Sequence, residues 1–191
     1  VIGDFEIITF NSGGTGARPT ADGLDATAFP SGVRTMPVEA TENIAPVVFW
    51  RKELRPDSAG AGRTRGGFGQ VMEIATKGEL EFAVNAIFDR VANAPKGREG
   101  GGDGARGAVT LGRSGTALRT KGFQIIPDGE RLLLLLPGGG GMGAAAERDP
   151  ALVARDVRDG LVSPDAARAV YKVAMAADGG VDAAATASLR K

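Results

Sequence analysis

The chain has 191 residues, 42% of them apolar, enough for one sizeable domain or a domain with a small appendage. Lys and Arg number 23, as do Asp and Glu, a balance that argues against a nucleic-acid partner, and neither cysteine nor histidine occurs. Within this chain that excludes disulfides, thiol chemistry, an imidazole base and a His/Cys zinc site, and leaves open only an all-carboxylate Mg or Ca site.

The chain opens VIGDFEIITF, a strand already under way with no initiator Met, and is expected to be a piece processed or excised from something longer. The opening has neither the basic start nor the apolar stretch of a signal peptide, and no apolar run reaches transmembrane length. With no cysteine either, the expected compartment is cytoplasmic, with no membrane partner. Glycine accounts for 30 residues, roughly twice ordinary usage. The glycines cluster at Gly13–Gly16, Gly60–Gly69, Gly97–Gly107 and Gly138–Gly143, with strand-like runs between.

Those runs are Phe5–Phe10, Pro46–Trp50, Glu79–Phe88, Val109–Leu111, Thr116–Ile126 and Arg131–Leu136. In Glu79–Phe88, Leu80, Phe82, Val84, Ala86 and Phe88 alternate onto one face, as a half-buried strand requires. Pro127-Asp128-Gly129 reads as a hairpin turn between two strands, with glycine supplying a positive φ. Lys96–Gly107 (KGREGGGDGARG) reads as a mobile surface loop. Short strands between Gly, Pro and Asp turns suggest a sandwich or open barrel.

The character changes after Gly143. Asp149-Pro150 is an N-cap followed by proline at N1, and Gly160 stands where a helix is expected to end. Ser163-Pro164 opens a second helix with Ala167, Val170, Tyr171 and Ala174 on one face, ended by Gly179-Gly180. The Ala-rich tail Val181–Lys191 is expected to fray. The predicted fold is α+β, mainly β, with glycine-rich loops: a body over 1–143, a C-terminal helical pair over 144–180 and a frayed tail over 181–191.

Three features invite a chemical reading. LLLLLPGGGGMG (Leu132–Gly143) has the glycine density of a phosphate cradle but lacks the Lys and hydroxyl of a P-loop. Gly138, Gly140 and Gly143 fit G-x-G-x-x-G, but in a run of four glycines with no βαβ unit around it. The alternative is a turn that brings the chain close to another backbone. Asn11–Pro19 (NSGGTGARP) is either an anion nest with Arg18 as a fork of donors or a turn with a solvated arginine. Ser12, Ser31 and Ser58 lie near glycine or proline, but none sits in G-x-S-x-G. Asp22, Asp25, Glu39, Glu42 and Asp57 read as solvated carboxylates. The basic stretch Arg51–Arg65 carries no stacking aromatics between its charges and reads as a solvated or subunit-facing edge.

Four segments, taken in order, carry a resemblance. They are GGTGARPTADGLDATAFPSGVRTMPVE (Gly13–Glu39), ELRPDSAGAGRTRGGFG (Glu53–Gly69), LLLLLPGGGGMG (Leu132–Gly143) and ERDPALVARDVRDGLVSPDAARAVY (Glu147–Tyr171). Together they resemble the C-terminal part of the hydantoinase B / oxoprolinase family. That family includes 5-oxoprolinase, N-methylhydantoinase, caprolactamase and the acetone and acetophenone carboxylases. The resemblance implies a C-terminal component of an ATP-dependent enzyme that opens a cyclic amide, a small-molecule substrate, after a partner has phosphorylated its carbonyl oxygen. It also leaves a ketone carboxylase component and a purely structural assembly piece as alternatives. The implied partners are an A-type ATP-binding chain and an N-terminal B-type chain in a hetero-oligomer. ATP and a divalent metal are expected on those other chains and not on this one, and the isolated chain is expected to be inactive. Oxoprolinases carry histidine where this chain has Ala28-Phe29-Pro30-Ser31-Gly32.

No catalytic residue and no metal ligand is assigned. Gly13, Gly14, Gly16, Arg18, Gly138, Gly139, Gly140 and Gly141 are the candidate substrate or phosphate loops. Their proposed roles are backbone N–H donation to an anion, with Arg18 as counter-charge.

Overall fold

A computed structural model describes residues 5–27 and 36–191. Ala28-Phe29-Pro30-Ser31-Gly32 and the first four residues lie outside the described residues.

The body is built on a four-stranded antiparallel sheet. Its strands are β1 (Val47–Leu54), β2 (Gln70–Thr76), β4 (Ala108–Leu111) and β6 (Leu132–Leu135), in the order β1-β2-β6-β4. A second ribbon pairs β3 (Phe82–Ile87) with β5 (Lys121–Ile126). Phe82, Val84 and Ile126 of the ribbon close over Met72, Ile74, Val109, Leu132 and Leu134 of the sheet to form the main core. This is the α+β, mainly β class that the sequence predicts.

Strand β2 (QVMEIAT) was not among the runs legible in the sequence. It lies inside the sheet with both faces covered, so Val71 and Ala75 are buried as well as Met72 and Ile74. A strand covered on both sides has no apolar–polar alternation to detect. By contrast β3 keeps the alternation: Phe82, Val84 and Ala86 turn inward while Ala83, Asn85 and Ile87 are exposed. β1 runs past Trp50 to Leu54 because it bulges there, with Phe49 opposite Ile74 and Arg51 opposite Glu73. The ring of Trp50 carries the Arg131 guanidinium 3.8 Å above its centre, and Arg131 is held by Glu73 at 3.0 Å and Glu79 at 2.7 Å.

Other expectations need correcting. Phe5–Phe10 is in no strand, and Ile8 and Phe10 are exposed. An unforeseen helix, α1 (Val38–Ile44), precedes β1. Pro127-Asp128-Gly129 is a turn, with Gly129 at φ +73° and the Glu130 amide donating to the Pro127 carbonyl at 3.1 Å. It is not a hairpin, because β5 pairs with β3 and β6 pairs with β2 and β4; the turn hands the chain from ribbon to sheet.

The C-terminal part begins with a 3₁₀ turn (Ala145–Glu147) and has three helices, not two: α2 (Pro150–Arg158), α3 (Pro164–Ala169) and α4 (Ala183–Leu189). The Asp149 and Ser163 caps form as the sequence indicates, accepting from the Ala151 and Ala166 amides. At the end of α2, Gly160 at φ +70° donates to Val157 while Leu161 donates to Asp156, the paired bonds of a Schellman cap. The predicted second helix stops at Ala169, and Tyr171, Val173 and Ala174 are buried beyond it. The tail is ordered: Asp182 caps α4, and the buried Thr186 hydroxyl accepts from the Ala174 amide at 3.0 Å. Phe68, Val153, Val162, Ala167, Tyr171 and Val173 form a second core beneath these helices.

Candidate functional site

The glycine clusters converge on one segment, Pro137–Met142, which runs on from β6. Its backbone partners repeat every three residues. The amides of Gly138 and Gly141 donate to the carbonyls of Ala105 and Gly102, at 3.1 and 2.9 Å. Those of Gly139 and Met142 donate to Gly67 and Thr64, both at 2.9 Å. The carbonyls of Pro137 and Gly140 accept from Gly14 and Ala17, at 2.9 and 2.8 Å. A period of three is the repeat of a polyproline-II-type helix, which makes no internal hydrogen bonds and must find them all outside. Here three neighbouring segments supply them: 13–17, 58–67 and 96–105.

The segment is glycine because nothing larger fits. A Cβ on Gly138, Gly139, Gly140 or Gly141 would meet the carbonyl oxygen of Ser58, Thr15, Lys96 or Ala61 respectively, deep inside contact distance. None of these four has a left-handed φ, so the requirement is close approach and not conformation. The loop Lys96–Gly107 is therefore corrected from a free surface loop to one wall of this bundle. Arg98 donates to Gly141, Gly102 to Ala61, and Ala105 to Ser58.

The structure brings the sequence-predicted loops together: Gly13 and Gly14 lie against Pro137 and Gly139, and Gly16 approaches Gly140. It corrects the proposed use of four of them. The amides of Gly14, Gly138, Gly139 and Gly141 donate to protein carbonyls, so they are not presented to an anion. Arg18 is different. It is exposed at the rim of the bundle, its Nη2 donating to the Asp22 carbonyl at 2.9 Å and its own carbonyl accepting from the Thr64 hydroxyl at 2.7 Å.

Beside this rim lies a buried ionic cluster that sequence reasoning missed. Arg148 is wholly buried and grips both carboxylate oxygens of Asp22, at 2.7 and 2.8 Å, and Asp156 at 3.0 Å. Arg65, also buried, bonds Asp156 at 3.1 Å and Asp25 at 2.9 Å and stacks on Phe68. Asp22 and Asp25 thus leave the class of solvated carboxylates, and Arg65 leaves the solvated edge. Burial alone would raise the Asp22 pKa. The Arg148 fork, its charge and the Arg65 amide outweigh that and hold the carboxyl below its ordinary value. Burial pushes the neighbouring Tyr171 phenol up to about 12. One sequence signal points to the cluster: Asp156 follows the core residue Val153 by three and so shares the inner face of α2.

The amides of Gly14, Gly138, Gly139 and Gly141 are engaged by protein carbonyls, and the three carboxylates of the cluster are each paired with one or both of two arginines, which leaves the cluster one negative charge in excess. Among the described residues no group of three or more acidic side chains is placed to hold a metal. A shallow depression lined by Phe88, Val91, Val109, Leu135 and Pro137 has a cavity volume of about 10 Å³, room for about one water and far below the roughly 300 Å³ at which small-molecule pockets begin. No helix among the described residues is long and apolar enough to cross a membrane.

The described residues thus form a mainly β body laced by a glycine bundle, with its helices fastened by buried ion pairs. The chain belongs to the hydantoinase B/oxoprolinase family, whose model matches residues 2–145. It is 35% identical to 5-oxoprolinase 1 of Arabidopsis thaliana, over 69% of this chain and 11% of that protein. It is 29% identical to the acetophenone carboxylase delta subunit of Aromatoleum aromaticum, over 89% of this chain and 30% of that protein. Its fold matches the crystal structure of ATP-dependent caprolactamase from Pseudomonas jessenii with a TM-score of 0.77 and 28% identity, over 94% of this chain and 32% of that one. The chain thus spans a third or less of the length of these relatives.

Proposed function

We propose that the chain is the C-terminal component of an ATP-dependent enzyme of the hydantoinase/oxoprolinase type, opening a cyclic amide whose carbonyl oxygen a partner chain has phosphorylated. The observation that carries this reading is the match over nearly the whole chain to a caprolactamase described as ATP-dependent. In this reading ATP sits on an A-type chain, an N-terminal B-type segment holds the divalent metal, and the hetero-oligomer works in the cytoplasm. This chain contributes a rigid wall, and Arg18 is its counter-charge for an anionic intermediate, since a guanidinium presents paired donors to phosphate or carboxylate. The likeness to an acetophenone carboxylase component supports the alternative of a ketone carboxylase component. The internally engaged glycine amides support a purely structural one.

The test is to co-purify the chain with its accompanying chains and offer hydantoin, oxoproline and a lactam with ATP, and separately a ketone with bicarbonate and ATP. Ring opening that requires ATP supports the proposal; carboxylation alone moves the assignment to the ketone class. Arg18→Ala is expected to lower ATP-coupled turnover by about tenfold or more, the loss of one charged hydrogen bond, with the melting temperature unchanged. Unchanged turnover removes Arg18 from the site and leaves the structural role.

A further inference from the structure

We infer that Arg148 is a positioning residue for the loop that carries Arg18, so that the C-terminal helices take part in shaping the candidate site. The role assigned to Arg18 rests on the proposed function; the positioning itself rests on geometry.

The turn from Arg18 to Asp22 closes on itself. The Arg18 amide donates to Ala21 at 2.9 Å, and the Arg18 guanidinium donates to the Asp22 carbonyl. Its Arg18 end is held by the Thr64 hydroxyl and, through Ala17, by Gly140; the orientation of its other end is set by whatever holds Asp22. Its carboxylate takes both prongs of the Arg148 fork, across 126 residues of sequence, and also the Arg65 amide at 2.9 Å. A bidentate fork fixes direction as well as distance. Arg148 is in turn fixed from two sides: its guanidinium by Asp156 of α2, and its carbonyl by the guanidinium of Arg190, just past α4, at 2.7 Å. The chain thus runs from helix to buried arginine to aspartate to exposed arginine. The loop belongs to the body, and the clamp that aims it comes from the C-terminal part.

The experiment is amide hydrogen exchange on the protein as isolated, with its accompanying chains, in three variants. Arg148→Met removes the fork. Asp22→Asn weakens the same bond from its half-exposed side and serves if Arg148→Met fails to fold. Val153→Ala lowers stability through α2 without touching Asp22. Expected is exchange at Thr15, Ala17, Gly23 and Leu24 faster by about tenfold or more in the first two, with β2 and β6 as in the parent. Val153→Ala leaves the loop at the parent's rate. Loop exchange in Arg148→Met and Asp22→Asn no faster than in Val153→Ala overturns the inference. Turnover separates the two readings. A loosened loop with Arg18→Ala fully active leaves the clamp standing and removes the proposed role of Arg18. A damaged Arg18→Ala beside a fully protected loop in Asp22→Asn removes the clamp and leaves the function.

Discussion

Replacing Gly139 by alanine tests the bundle most directly. The added methyl carbon would stand 1.7 Å from the Thr15 carbonyl oxygen and 2.9 Å from the Gly16 nitrogen. A carbon and a carbonyl oxygen meet comfortably at about 3.3 Å, so one backbone must retreat by roughly 1.6 Å. Neither can do so alone. Gly139 donates to Gly67 and accepts from Gly60 at 2.9 and 2.8 Å, while Thr15 donates to Leu24 and accepts from Gly67 at 3.0 and 2.8 Å. Overpacking costs about 1–3 kcal/mol, and losing two buried backbone bonds adds about 1–3 kcal/mol. The expected loss is therefore about 2–6 kcal/mol, a large part of a typical domain's roughly 5–15 kcal/mol. Gly16→Ala is the control: the nearest atom to its added methyl is the Gly140 carbonyl oxygen at 4.0 Å, and the expected change is within about 0.5 kcal/mol. Urea unfolding followed by circular dichroism reads both variants. Equal midpoints for Gly139→Ala and Gly16→Ala would refute the close-approach argument.

Tyr171 is the only tyrosine, so phenolate absorbance reports on it alone. Folded protein should titrate with a midpoint near 12, against about 10 in urea. A phenol whose pKa is raised on folding contributes stability below its unfolded pKa that is lost as pH climbs through the folded one, so alkaline destabilisation should span about pH 10 to 12; a folded midpoint near 10 contradicts the burial. Trp50 is likewise the only tryptophan, and Arg131→Ala should alter its fluorescence and lower stability, through loss of the stacked cation and its ion pairs with Glu73 and Glu79. No change in emission would argue against the stack. Asp182→Ala should cost about 1 kcal/mol and loosen exchange in α4; unchanged stability and exchange would restore the frayed tail.

What was legible in the sequence follows from which signals are local. The caps at Asp149 and Ser163 and the end at Gly160 depend on neighbours within a few residues, and they form as expected. The alternation in β3 survives because one side of the ribbon faces water. β2 was hidden because both its faces are covered, and the Pro127–Gly129 turn misled because turn chemistry is silent about which strands will pair. Glycine density marked the segments that converge, but not why they do. Glycine permits an exposed nest and a backbone packed against backbone equally well, and only the partners distinguish them. The ionic cluster was out of reach for the opposite reason. An arginine and an aspartate separated by 126 residues look like any other surface charges until the fold removes them from water.

The threefold winding of Pro137–Met142 has a consequence for how this stretch can vary. In a β-strand, slipping by one residue exchanges the two faces. Here the insertion of one residue would turn everything after it by a third of a revolution, and each amide and carbonyl would face the wrong neighbour. Only a change of three restores the match. Lengthening this segment one residue at a time should therefore show a rhythm, with the first and second additions disruptive and the third tolerated.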